Sequence, residues 1–414
     1  MIAYAALWIF VFSVPWEDVV VIPGLGVVSR LTGVLALGLA LLAAVVSGRF
    51  RRWDLLHVAA LLYVLLAVCT VLVFGSETVP KKLWTYLQLF LVLWMIWELA
   101  PSRKRQLGLL TAYVFGAYVS AFSTIMALRR DTGARRFSAG GFDANDLAAI
   151  LALALPMAWY LGTVHHRPLV RFLCRAYLPL GVLAIGLTGS RGGMLATIVA
   201  LLIVPLTMTK LSVGRLVTTI ALVVISGSLA VAYVPETVIE RLATTRSEVQ
   251  EGRLGGRLKL WVAGSKAFAR RPMLGYGTSG FRNAIAPYLP TRPQVAHNSY
   301  LSVLVEQGIV GFVLYSLMFF AVFRAVLGLP TLDRRFSLIL LATLGVIMIP
   351  LTWEDHKALW FILAALLGLA RASAREGGAV PHPYPQPSVA NPPFARPPQP
   401  LGARRGNAAR DARA

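Results

Sequence analysis

The sequence predicts an all-α integral membrane protein, a polytopic bundle of about 12 transmembrane helices with one long loop outside the membrane. Three observations carry this. The 414 residues are 57% hydrophobic and only 14% charged, with a mean hydropathy of +0.68. A soluble domain would carry about a quarter of its residues as charged side chains. Apolar runs long enough to cross lipid recur along the chain, and they are continuous. Continuous runs select helices over a barrel, whose strands alternate apolar and polar positions.

Cutting at charged and Gly/Pro-rich breaks places the spans at 2–14, 28–46, 55–74, 83–100, 107–127, 146–163, 170–188, 192–209, 216–235, 300–323, 336–352 and 358–370. The first and last are short enough to be re-entrant or interfacial. Alternate short loops carry Arg49, Arg51 and Arg52; Arg103, Lys104 and Arg105; Arg167 and Arg171; Lys210 and Arg215; and Arg324, Arg334 and Arg335. The loops opposite are acidic or mixed: WED at 16–18, SETVPKK at 76–82 and WEDHK at 353–357. The positive-inside rule then puts both termini in the cytoplasm and residues 236–298 outside. WED follows the first apolar run where a cleavable signal would show small residues, so no cleavage is expected.

The chain divides into N-terminal membrane helices at 1–127, a second membrane domain at 128–370 that includes the outer loop 236–298, and a tail at 371–414. The loop LRRDTGARRFSAGGFDAN at 128–145 is basic and Gly-rich, with a helix N-cap expected at Asn145 or Asp146. Residues 236–252 read as polar and irregular. Residues 253–271, RLGGRLKLWVAGSKAFARR, read as an amphipathic surface helix. Leu254, Leu258, Trp261, Val262 and Phe268 share its apolar face, and Arg257, Lys259, Lys266 and Arg270 the other. Residues 272–296 have turn chemistry throughout. The tail holds nine prolines and seven arginines without periodicity, and reads as disordered and cytoplasmic. Cys69 and Cys174 lie on different spans without CxxC spacing, as small core residues rather than a disulfide or metal pair.

A net charge of +22 would suggest nucleic acid in a soluble protein, but here most of it is topological. The informative remainder lies outside. Arg129, Arg130, Arg135 and Arg136 share one loop, and ten Lys/Arg fall between Arg241 and Arg292. Topology does not explain positive charge on the translocated side, so an anionic ligand there is the better account. In TGSRGG at 188–193, Arg191 sits at the membrane boundary between glycines that let a ligand or helix approach the backbone. Its planar fork matches a diphosphate. Arg257, with Arg253 and Lys266 in the same basic stretch, can hold an anionic headgroup at the interface, as can Arg135 and Arg136. His297 precedes a helix capped by Asn298 or Ser299. The helix dipole there favours neutral, proton-accepting imidazole. Glu306, about two turns further in, is a buried carboxylate that needs a partner, expected to be a neighbouring arginine or the histidine network. The chain lacks a Walker A loop and an outward DxD pair. Arginines rather than a metal or nucleotide cofactor must therefore neutralise a diphosphate.

Four segments in order resemble the O-antigen ligase and polymerase superfamily of bacterial envelope glycosyltransferases. FSAGGFDANDLAAILALALP resembles the segment leading into the family's central helix. TGSRGG carries the intramembrane arginine at Arg191, and GGRLKLWVAGSKAFARRPMLGYGTSGF is similar to the R…W…P-x-x-G-x-G stretch. HNSYLSVLVEQGIVG fits H-[NSQ]-x9-G-x-x-[GTY] through His297, Asn298, Gly308 and Gly311. The resemblance implies a GT-C-like enzyme of the bacterial inner membrane that moves a glycan from an undecaprenyl-diphosphate carrier to a lipid or saccharide acceptor, needing no metal. It further implies that Arg191 and basic outer-loop residues bind the diphosphate while His297 activates the acceptor hydroxyl. Envelope-polysaccharide assembly proteins are the expected partners. A surface-polysaccharide polymerase is the alternative within the family. From other classes, a lipid-linked sugar flippase would repeat its polar breaks in both halves, and a non-catalytic scaffold would leave His297 dispensable.

Overall fold

The computed structural model describes residues 1–48, 50–74, 79–130, 134–207, 213–243, 256–289 and 295–378. Among these residues the regular secondary structure is helical apart from a short hairpin pairing Val21–Ile22 with Gly26–Val27. The helices are α1 Ile2–Ser13, α2 Val28–Ser47, α3 Leu55–Phe74, α4 Val79–Leu99, α5 Arg103–Arg130, α6 Ala144–Val164, α7 Pro168–Leu187, α8 Arg191–Leu201, α9 Ile203–Thr207 and α10 Val213–Tyr233. They continue as α11 Glu236–Ala243, α12 Arg257–Arg270, α13 Phe281–Ile285, α14 Ser299–Leu327, α15 Thr331–Ile347 and α16 Lys357–Gly378.

Eight of these helices are long and apolar enough to cross a membrane: α2, α3, α5, α6, α7, α10, α14 and α16. Each falls on an expected span. The other expected spans are helical but shorter or more polar. The span expected at 192–209 is divided between α8 and α9, and α1 belongs to a short apolar stretch, Ile2–Trp16.

The core forms around α6, which is buried along nearly its whole length. Its alanines at 148, 149, 152, 154 and 158 let α5, α7, α8 and α15 approach closely. Small residues serve this purpose in lipid, where packing rather than the hydrophobic effect holds helices together. Helix α16 is buried among α4, α5 and α14. By contrast α10 lies at the periphery against α7. Arg103 and Tyr160 both bond the Asp333 carboxylate, at 3.1 and 2.7 Å, and tie α5, α6 and α15 together at one end of the bundle.

The opposite end carries a folded layer. Leu260, Ala263 and Ala267 of α12 pack with Phe281, Ala284 and Ile285 of α13 and with Ala296 and Val305. This corrects the expected face of the amphipathic helix in part: Trp261 and Phe268 pack against this cluster as expected, and Leu254 lies outside the described residues. Leu258 and Val262 are exposed, and the buried stripe is Leu260, Ala263, Gly264 and Ala267. The smaller stripe wins because Gly264 sits against Leu301 and Phe281 with no room for a side chain. Residues 236–243, expected to be irregular, form α11. Residues 244–252 lie outside the described residues, as does the tail from 379. Helix α16 continues to Gly378, past the expected boundary at 370. Cys174 is buried as expected, whereas Cys69 is exposed on α3.

Two of the sequence segments singled out above meet at a break in α14. Gly308 has φ 64° and ψ −167° inside the helix. The break frees backbone groups that apolar surroundings would leave unsatisfied. The loop after α12 satisfies them: Tyr276 N donates to Val305 O at 2.9 Å, Gly277 N to Glu306 O at 2.8 Å, and Ile309 N to Pro272 O at 2.8 Å.

Candidate active site

Helix N-termini converge at the layered end. Helix α6 starts after Asp143, whose carboxylate accepts from Asn145 N at 2.8 Å. The cap is therefore Asp143, not Asn145 or Asp146 as the sequence suggested. That leaves the Asn145 side chain for tertiary bonds. Helix α8 starts after Ser190, whose Oγ accepts from Gly193 N at 3.2 Å. Helix α12 starts at Arg257 after a left-handed Gly256. The starts of α6, α8 and α12 line one narrow cleft through Asn145, Ser190, Gly192 and Arg257, closed by Pro350. Helix α14 starts beside them after Asn298, whose side chain caps Leu301 N at 3.0 Å. Each N-terminus carries partial positive charge and unpaired amides, so their convergence favours an anion.

Arginines surround the same cleft. Arg136 donates to Asn145 Oδ1 at 2.8 Å and to Thr188 O at 3.1 Å. Ser190 Oγ donates to the same Asn145 oxygen at 2.9 Å. Arg191 donates to Arg241 O at 3.1 Å, and Arg241 Nε to Gly189 O at 3.3 Å. Burial lowers the pKa of Arg257, with Arg191 acting in the same direction and Asp143 opposing. Burial likewise lowers that of Arg136, reinforced by Arg241 and Arg257. These guanidiniums stay charged at neutral pH because their ordinary value is so high. Arg136 and Arg257 thus feel the Asp143 carboxylate, and nearby Asp146 accepts from Trp353 Nε1 at 2.9 Å. The close approach of α8 to α6 depends on Gly193, whose missing Cβ would collide with that of Ala148.

His297 stands at the edge of this cluster on strained backbone. Its φ is 44°, in the left-handed region that non-glycine residues avoid. Neighbours on both sides hold it there. Trp261 Nε1 donates to Ala296 O at 3.2 Å. Ser299 N donates to Met348 O at 2.9 Å, and Ser299 Oγ to Leu351 O at 2.9 Å. Such strain persists only where the surroundings over-determine it, and it clusters at functional sites. Burial lowers the His297 pKa and Arg257 lowers it further, while Asp143 and Asp146 oppose. The imidazole is therefore predominantly neutral at pH 7.

Of the residues expected at the site, Arg191, Arg257, Arg136 and His297 come together here. Arg135 is exposed beside them, with its backbone oxygen 3.4 Å from where a Gly189 Cβ would lie. Asn298 is engaged in capping. Lys266 lies away, in an open groove with Lys259 and Tyr288. Arg253 falls outside the described residues. Glu306 has a different partner from the arginine or histidine expected: Lys82 Nζ, at 2.8 Å. Sequence reasoning missed Arg241, Asn145, Asp143 and Ser190. The polar cap signals DAND and TGS mark helix starts, but spacing does not say that they face one another.

Compared with known families, residues 176–316 match the family model described as O-antigen ligase. The matched region runs from within α7 to within α14. It contains Arg191, Arg241, Arg257 and His297, and leaves Arg136 and Asn145 upstream. No curated protein matches the chain.

Proposed function

We propose that this multi-pass membrane protein, whose residues 176–316 match the O-antigen ligase family, transfers a glycan from undecaprenyl diphosphate to an acceptor hydroxyl at the layered end of the bundle. The observation that carries this reading is the placement of His297, with its depressed pKa, beside Arg257 and the converging helix N-termini. The arginines and helix termini receive the diphosphate, as planar donors and positive dipole ends suit its oxygens. His297 takes the proton from the acceptor hydroxyl. The acceptor oxygen then bonds to the anomeric carbon as the bond from that carbon to the phosphate oxygen breaks. Undecaprenyl diphosphate leaves as the anion, its charge spread over the guanidiniums, and the histidine releases its proton to water. Polymer elongation uses the same displacement with a growing glycan as acceptor, so both reactions of the superfamily fit these residues.

The test is transfer in proteoliposomes containing undecaprenyl-diphosphate-linked glycan and acceptor. His297→Ala should lower the rate by roughly 10²–10⁴-fold, the usual contribution of a general base. A chelator should leave the rate unchanged, since guanidiniums neutralise the leaving group. Wild-type protein that moves lipid-linked glycan across the bilayer yet modifies no acceptor would establish the flippase reading instead.

A further inference from the structure

A second chamber, of about 380 Å³, lies next to the Ala296–His297 step. It is polar on several sides, and within the size range of small-molecule sites. Lys82 Nζ stands 2.8 Å from Glu306 Oε2 and 3.1 Å from Glu354 Oε1. Ser279 N donates to Glu306 Oε2 at 2.9 Å, and Ser302 Oγ to Glu354 Oε1 at 2.8 Å. Arg282, Thr352 and Asp355 complete the polar wall, and Phe281 adds an apolar surface.

Two features show that this wall is more than a closed ion-pair network. The buried hydroxyl of Thr352, which lines the chamber, has no hydrogen-bond partner among the described residues. The same holds for Oε2 of the 1% exposed Glu354, whose other oxygen bonds the lining residues Lys82 and Ser302. Buried polar atoms are ordinarily satisfied, so open valences beside a cavity point to a ligand. The charge balance then says what kind. Among the described residues, Lys82 and Arg282 stand with Glu306, Glu354 and Asp355, so cations do not outnumber carboxylates there. The cleft instead gathers Arg136, Arg191, Arg241 and Arg257 where helix N-termini converge. A diphosphate therefore prefers the cleft. The chamber, with alternating donors and acceptors around an apolar wall, suits an uncharged ligand rich in hydroxyls.

We infer that this chamber binds the saccharide end of the acceptor, on the opposite side of His297 from the diphosphate. The chain geometry supports that placement. Ala296 lines the chamber and His297 follows it directly. Thr352 and Asp355 face the chamber, while Trp353 between them bonds Asp146 beside the arginines. An inverting displacement at an anomeric carbon brings nucleophile and leaving group from opposite faces, and separate neighbouring compartments for acceptor and diphosphate suit that.

The inference rests on the transferase reading, and its test separates the two. Full-length protein in detergent is titrated with a neutral oligosaccharide fraction released by mild acid from the host cell's own envelope glycans. Asp355→Asn and Thr352→Val should each weaken this binding roughly tenfold, the usual effect of losing one buried polar partner. In the transfer assay the same variants should raise the acceptor KM and leave the donor KM within about twofold. Thr352→Ser should restore both. Saccharide binding without any transfer by wild-type protein would keep the chamber and remove the transferase reading. Transfer by wild-type protein with acceptor KM unmoved in both variants, or with donor KM rising in step, would overturn the chamber assignment. If Asp355→Asn melts early, Thr352→Val and its serine rescue decide.

Discussion

His297 combines two properties that rarely coincide without cause, a left-handed backbone and a depressed pKa. The second bears on the acid limb of the pH profile. A base works only when deprotonated, and a lowered pKa keeps it deprotonated further into acid. The acid limb of kcat/KM should therefore fall below the ordinary histidine value of about 6.5. Bound diphosphate adds negative charge near the ring and should move the limb of kcat upward. A kcat/KM limb above 6.5 would remove His297 as the base. The arginines make a sharper demand at the same scale. Arg257→Lys and Arg191→Lys keep the charge but lose the planar fork. Each should raise the donor KM by roughly 10–100-fold, the range for a charge-assisted hydrogen bond. A donor KM unchanged in both variants, at equal protein level, would take these residues out of the diphosphate site.

At the scale of elements, the broken helix α14 explains why two segments far apart in the chain act as a unit. A side chain at Gly308 would collide with the Met273 carbonyl oxygen and would have to adopt φ 64°. Gly308→Ala should therefore cost about 1–3 kcal/mol, seen as a lower melting temperature in detergent and faster proteolysis after Arg271. Unchanged melting would mean that the loop does not depend on the break. The same docking sets the register of the start of α14, and with it the backbone of His297. Helix α12 shows how far periodicity carries. Its amphipathic pattern is real, but the buried face centres on Leu260, Ala263, Gly264 and Ala267, with Trp261 and Phe268 at its edge and Leu258 and Val262 left exposed. Close approach to Leu301 decides that choice, and a helical wheel does not contain it.

At the scale of the molecule, the two ends of the bundle differ in a way that orientation can test. One end carries paired charges such as Arg103 with Asp333, and the other the arginine cleft and the folded layer. The proposed orientation puts the cleft outside. In a variant with Cys69 and Cys174 replaced, Ser265→Cys on exposed α12 should react with an impermeant maleimide in intact spheroplasts. Lys104→Cys, exposed at the other end, should react only after permeabilisation. The reverse pattern would invert the topology and remove access to an outward acceptor. The sequence by itself determined what depends on composition and local pattern. Lipid leaves helices as the economical way to satisfy a continuous apolar backbone, so the helical class and most span positions follow from hydropathy. The caps and glycine steps around Arg191, Arg257 and His297 are likewise local chemistry. Tertiary structure alone decided which partners those residues meet. Asn145 with Ser190, Lys82 with Glu306 and the loop at 272–277 with the break at Gly308 all join residues distant in the chain. Such pairings depend on how helices pack in three dimensions, and α-helical periodicity carries no information about which polar side chain waits on a neighbouring helix.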